Sequence, residues 1–326
     1  MNRRLVIAGI AGLISTVPLA DGGQKPKRRL AMLSPGSLTT PRGAALFDAF
    51  WDGMRSCGYS PDDFELETRW ADFRPERLSA LATELVRPTP EVIVAAGPAA
   101  VAAARKATPI IPIVMLDVAD PVGAGFVASL VRPGGNVTGL ANLAQETAGK
   151  RLELLKAATP AAARIAVLFN PGNPGNLLQL HAAEDASKAL SIDVIAIEAR
   201  TVDEIEPAFA AIGRERADAL FVAGDPVFNG VPDEIVSLAA RRKLPSIYQD
   251  RNAVLAGGLI SYGIDQRALF RQAASYIDKL LKGEKPGELP VQQPTKFELV
   301  INLKTANTLG LTIPQALLAR ADEIIE

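Results

Sequence analysis

Short runs of Val, Ile, Leu and Ala recur along this chain, and each stops in a loop of Gly, Pro, Ser, Asn or Asp. Six stand out: Leu30–Leu33, Val92–Ala95, Ile110–Leu116, Ile165–Phe169, Ala219–Ala223 and Leu259–Ser261. The loops after them are Ser34–Ser37, Gly97–Ala99, Asp117–Pro121, Asn170–Asn173, Gly224–Pro226 and Tyr262–Gly263. Leu66–Trp70, Asn136–Leu140, Val194–Ile197, Ser246–Tyr248 and Phe297–Ile301 complete the predicted strands. Helical patterns lie between them: Arg42–Cys57, Pro75–Val86, an Ala-rich stretch ending near Lys106, Glu146–Ala158, Pro174–Leu190, Val202–Ile212, Asp233–Arg242 and Gln266–Leu281. Strands alternating with helices predict βαβ units and parallel sheets. The order restarts after the middle of the chain, which predicts two α/β lobes. Thr305–Leu309 and Pro314–Ala321 read as closing helices.

In open parallel sheets the ligand sits outside the carboxyl ends of the strands, so these loops are where function is expected. They hold no nucleophile beside a base, no pair of metal ligands and no phosphate-cradling glycine motif. The chain has no GxSxG, no Walker loop and no GxGxxG after a strand. Its one His and one Cys exclude a zinc site or a His-based triad. His181 reads as a helix-surface residue and Cys57 as an inert packed thiol. The prediction is a binder of a small molecule, without cofactor or metal, and not an enzyme.

Charge adds an exclusion. Lys and Arg number 35 against 36 Asp and Glu, for a net charge of −1. That balance argues against a nucleic-acid or membrane-surface partner. The first twenty residues are a separate object: Asn2-Arg3-Arg4, an apolar Leu5–Thr16, then Val17-Pro18-Leu19-Ala20. This is the three-part order of a secretory signal, and its apolar run is shorter than the roughly 20 residues that span a bilayer. Residues 1–20 are therefore read as a signal peptide and the rest as a periplasmic protein starting near Asp21. A repressor with similar lobes needs a helix-turn-helix ahead of the first strand, where only this segment and a polar lead-in stand.

Several short motifs share one order and spacing: Gly53-Met54-Arg55 with Gly58-Tyr59, Asp120-Pro121-Val122, Arg132–Gly139, Asn170-Pro171, Phe270–Ala274, Phe297–Ala306 and Leu309–Pro314. Through them the chain, from about Arg29 to Glu326, resembles the TrpX-like family of ABC transporter substrate-binding proteins. The resemblance implies the type I periplasmic binding protein fold, two Rossmann-like lobes with parallel sheets joined by crossing hinge strands. It implies crossings near Gly139, Ile260 and Val291. Lobe one is then 29–139 plus 260–290, and lobe two 140–259 plus 291–326. Trp51 departs from the polar residue expected before Gly53; packing on its own helix is favoured over a place near the cleft.

Candidate ligand contacts follow from the loops. Gly97-Pro98-Ala99 opens a helix whose free amides suit a carboxylate, and Ser34 and Ser37 can add hydroxyls. Asp225 is a candidate partner for a ligand ammonium, since a carboxylate at a strand end is costly unless partnered; capping the turn ahead of Pro226 is its other reading. Phe228 and Tyr262 can stack on a planar ligand or belong to the core. Asn170 and Asn173 can present amides, and Asp120 is a contact or a helix-start signal. The expected ligand is a small carboxylate-bearing molecule, an aromatic or apolar amino acid first, with an aromatic acid as the alternative. The resemblance implies a monomer that delivers it to an ABC permease; service to a membrane sensor is the other reading.

Overall fold

The six main apolar runs supply strands largely buried on both faces, so the two sides of each sheet need covering. The computed structural model describes residues 27–326; the predicted signal peptide lies outside them. The first sheet holds β1 (Arg28–Ser34), β2 (Phe64–Trp70), β3 (Val92–Ala96), β4 (Ile113–Val118) and β5 (Val137–Ala141) in the order β2-β1-β3-β4-β5, all parallel. Helices α1 (Pro41–Ser56), α2 (Leu78–Val86) and α3 (Gly97–Ala107) join its strands. Alternate residues of β1 serve opposite faces. Leu30 and Met32 meet α1, while Ala31 and Leu33 meet α2 and α3.

The second lobe runs α4 (Ala144–Ala158), β6 (Arg164–Phe169), α5 (Pro174–Leu190), β7 (Asp193–Glu198), α6 (Ile205–Arg214), β8 (Ala219–Val222), α7 (Pro226–Gly230), α8 (Pro232–Arg241), β9 (Ser246–Tyr248), α9 (Arg251–Leu255) and β10 (Ile260–Gly263). Helix α10 (Gln266–Leu281) then precedes β11 (Glu298–Asn302), α11 (Leu303–Thr308), α12 (Gln315–Leu318) and β12 (Glu323–Ile325). The sheet order is β12-β11-β10-β9-β8-β6-β7, with β10 and β11 antiparallel. Two α/β lobes with mostly parallel sheets are the fold class the pattern predicted.

Helix α10 follows a strand of the second sheet yet packs on the first. Its Leu269, Phe270, Ala273, Tyr276 and Ile277 join the core of β1 and α1. The two helices come so close at Gly53 that a Cβ there would stand 2.1 Å from the carbonyl oxygen of Arg271. Trp51 packs on its own helix, edge-on to Phe50 at 5.5 Å. Cys57 is half-buried beside it and His181 is exposed on α5.

The lobe boundaries shift by a few residues. Ile260–Gly263 pairs with β9 and β11, so the return crossing comes after Gly263 instead of near Ile260. Val291 and Gln292 still belong to the first lobe, where Gln292 exchanges backbone hydrogen bonds with Gly139 and Ala141. Leu140 and Ala141 likewise stay in β5. The expected strand Ile110–Leu116 becomes Ile113–Val118. Pro109 and Pro112 have no amide for a ladder, Thr108 Oγ1 accepts from the amides of Ile110 and Ile111, and Ile110 is 81% exposed. The short α7, α9 and β12 were not predicted.

Candidate functional site

The carboxyl ends of both sheets face one cleft, which encloses about 830 Å³ of empty space including its open mouth. Its first wall starts in a zipped pair of loops. Ala71, Asp72 and Phe73 donate backbone hydrogen bonds to Ser34, Gly36 and Pro35 at 2.9, 2.9 and 2.8 Å. Asp72 and Phe73 take left-handed backbones, φ 53° and 60°, which turn the chain after β2 and set Trp70 and Phe73 in the cleft wall. Ser34 and Ser37 line the same wall. The Ser37 hydroxyl and the Arg77 guanidinium hold the Asp72 carboxyl below its usual range. Gly97 (φ +79°) and Pro98 line it as well, and no side chain caps α3, which leaves its first-turn amides free. Ala99 points to solvent and is not part of the lining.

The opposite wall is built around Asp225, at 2% exposure. Its Oδ1 accepts from the backbone of Val227 at 2.9 Å and from Asn170 Nδ2 at 3.4 Å; its Oδ2 accepts from Asn173 Nδ2 at 2.8 Å. It is thus the cap of α7 and a member of the lining at once. Among the described residues no cation pairs with it. Burial pushes its carboxyl above the usual range, against the three hydrogen bonds, which pull the other way. A buried carboxylate with neutral donors only is the strongest demand the cleft makes for a positive charge.

Asn173 lines the cleft and caps α5. Asn170 sits behind it, buried. Asp120 accepts from Gly123 N at 2.7 Å and starts a turn outside the lining. Phe228 lies in the core of the second lobe, and Tyr262 stacks on Phe297 at 5.8 Å. Neither reaches the cleft; the aromatic wall is Trp70, Phe73 and Phe270. Trp70 and Phe73 were readable in principle, because they stand at the carboxyl end of a predicted strand. Phe270, Gln266 and Gln249 line the site too.

Among the contacts that join the lobes across the cleft, two are specific. Arg42, the basic residue of the lining, donates from Nε and Nη2 to Asp250 Oδ2 at 2.9 and 2.7 Å. Phe73 lies against Gly230, where a Cβ would stand 2.3 Å from its ring. Among the described residues no three His, Cys, Asp or Glu are placed to hold a metal, and no helix is long and apolar enough to cross a membrane.

Two α/β lobes with a cleft between the carboxyl ends of their strands are the type I periplasmic binding protein fold. The chain belongs to the ABC transporter substrate binding protein family, whose model matches residues 39–325. These are non-enzymatic solute binders that take a small-molecule ligand. The chain is 29% identical over 263 residues to the tyrosine-binding protein of Clostridioides difficile (strain R20291), covering 80% of this chain and 75% of that one. A conserved domain protein of Vibrio cholerae O1 biovar El Tor superposes with a TM-score of 0.86 at 29% identity, covering 91% of this chain and 99% of that one. The ABC domain of Streptococcus pneumonia in complex with L-Trp gives 0.84 at 28% identity, covering 92% and 100%.

Proposed function

We propose that this protein captures an aromatic or apolar amino acid in the periplasm and delivers it, as a monomer, to the membrane permease of an ABC importer. One observation carries the reading: Asp225, buried and without a cation, faces a cleft walled by Trp70, Phe73 and Phe270. The ammonium of an amino acid supplies the missing charge, and its ring or apolar side chain fits the aromatic wall. The free amides of α3 and the Ser34 hydroxyl suit its carboxylate. Two relatives, one a tyrosine-binding protein and one holding L-Trp, support the same class. Residues 1–20 serve as the export signal.

Calorimetry with L-Trp, L-Tyr, L-Phe and L-Leu, beside the amine-free analogue of each, tests the reading. Binding is expected for at least one amino acid and much weaker binding for its analogue. Mass spectrometry of molecules released on denaturation supplies the control. Recovery of a ligand with neither amine nor carboxylate would sink the proposal.

Closure of the lobes on that ligand gives the Arg42–Asp250 pair a measurable role. Asp250 also caps α9 by accepting from Asn252 N at 2.9 Å, a task Asn performs equally well. Asp250→Asn therefore removes the ion pair and keeps the cap. It and Arg42→Gln are each expected to speed ligand release roughly tenfold, about 1.4 kcal/mol, with the double variant no worse than either single. Stopped-flow release rates check this, and additive effects would show that the two residues act separately.

A further inference from the structure

Asp117 combines three features that its position in a strand does not require. The pairing of β4 with β5 shifts register between Leu116 and Val118, so Asp117 bulges out of the ladder. Its φ of 60° is left-handed, a region that a residue with a Cβ enters only when the surroundings hold it there. Its side chain then gathers two distant segments. Oδ1 accepts from Asn142 Nδ2 at 2.7 Å and from Gln266 Nε2 at 3.1 Å.

Those partners stand on two of the three crossings between the lobes. Asn142 follows β5, donates its backbone N–H to Val118 at 3.1 Å, and its Oδ1 accepts from the first amide of α4 at 2.8 Å. Gln266 opens α10 after the chain has left β10. One carboxylate oxygen thus ties the exit from the first lobe to the return into it. Asp117 also lines the cleft, and its Oδ2 makes no hydrogen bond among the described residues.

We infer that Asp117 is the positioning residue that couples the cleft to the hinge: Oδ1 holds the two crossings while Oδ2 takes a hydrogen-bond donor of the bound ligand. Filling the cleft then fixes the angle between the lobes through one side chain. The bulge and the left-handed backbone are what aim the carboxylate at both tasks. The inference rests on capture of a small molecule in this cleft, and its hinge half stands without the ligand's identity.

Two substitutions separate the halves. Asn at this position keeps an oxygen for the two amides and turns a donor, instead of an acceptor, toward the cleft. Asp117→Ala removes both. Spin labels on Ala80→Cys and Ala240→Cys, in a Cys57→Ser background, report the distance between α2 of one lobe and α8 of the other; both alanines are exposed. Asp117→Ala and Gln266→Leu are expected to broaden the ligand-free distance distribution, and Asp117→Asn to leave it as narrow as the parent. Calorimetry with L-Trp and L-Tyr should show Asp117→Asn binding at least tenfold more weakly than the parent. An Ala variant with the parent's distribution overturns the hinge half, and an Asn variant binding within twofold of the parent overturns the cleft half. A parent protein that gives no heat with L-Trp or L-Tyr, nor with L-Phe or L-Leu, defeats the amino-acid reading and with it the cleft half, while the hinge half is still decided by the ligand-free distances.

Discussion

Replacing Asp225 by Asn should weaken binding of the amino acid ligand roughly ten- to a hundredfold and barely change binding of its amine-free analogue. The substitution keeps the side chain's size and the cap on α7, since Asn also accepts from the Val227 amide. What it removes is the charge, together with the acceptor of the Asn173 amide, a loss that both ligands share. A charge-assisted hydrogen bond in a water-poor cleft contributes about 1.5–3 kcal/mol, and each 1.4 kcal/mol is about a decade of affinity. Calorimetry against both ligands reads the difference, and equal losses for the two would make Asp225 purely structural. Acidity provides a second readout. Burial raises this carboxyl above its unfolded value, so its stabilising contribution is complete below the unfolded pKa and is lost as pH rises through the folded one. The ligand needs the carboxylate, so affinity falls as pH falls through the same range. The Asn variant should show neither slope.

Arg151→Ala should cost about 3–5 kcal/mol of stability, far more than a surface arginine. Its side chain is fully buried, and among the described residues no carboxylate pairs with it. It donates to the carbonyls of Val222 and Ala144 at 3.3 Å each and to Gln179 Oε1 at 2.7 Å, and it lies 4.5 Å from the Phe221 ring centre. Desolvation lowers its pKa to about 9, which still leaves it charged at neutral pH. Truncation opens a cavity under β8 and releases Gln179, which also accepts from Gly224 N at 3.0 Å in the wall that carries Asp225. Arg151→Met refills the volume and drops the desolvated charge, so it should lose less than half as much. Denaturant unfolding followed by tryptophan fluorescence compares the two. An Ala variant within 1 kcal/mol of the parent, or a Met variant as costly as Ala, would count against a packed, hydrogen-bonded cation.

The place of Asp225 at a strand's carboxyl end was legible from the Gly-Asp-Pro turn after an apolar run, and the structure shows it both capping a helix and lining the cleft. The aromatic wall was misplaced. The rule about carboxyl ends that points to the loops after the six apolar runs applies equally to Leu66–Trp70 and Ser246–Tyr248. Their loops carry Trp70, Phe73, Gln249 and Asp250, whereas Phe228 is packed into the core by α7 and Tyr262 is held on the β10–β11 pair. Asp117, Gln266 and Phe270 needed more than a better reading of local pattern. Their place depends on α10 crossing back to pack on α1, a contact between segments about two hundred residues apart. The Arg42–Asp250 pair is separated by 208 positions and leaves no periodic trace. Periodicity reports which face of an element is buried, and it is silent on what stands opposite.

The border strands of the two sheets have a consequence for handling the protein at high concentration. An open strand edge is a template on which another chain can add. Strand β2 ends one sheet with Glu65 and Glu67 exposed and paired to Arg29 and Arg69, so a stacking neighbour would meet a row of charges. At one border of the second sheet, residues 323–325 cover Val300–Asn302 in parallel register, and Glu323 is held by Arg251. That strip of three residues is a selvedge: it finishes the cloth so that the apolar weave beneath, Val300 and Ile301, never presents a loose thread to a second molecule.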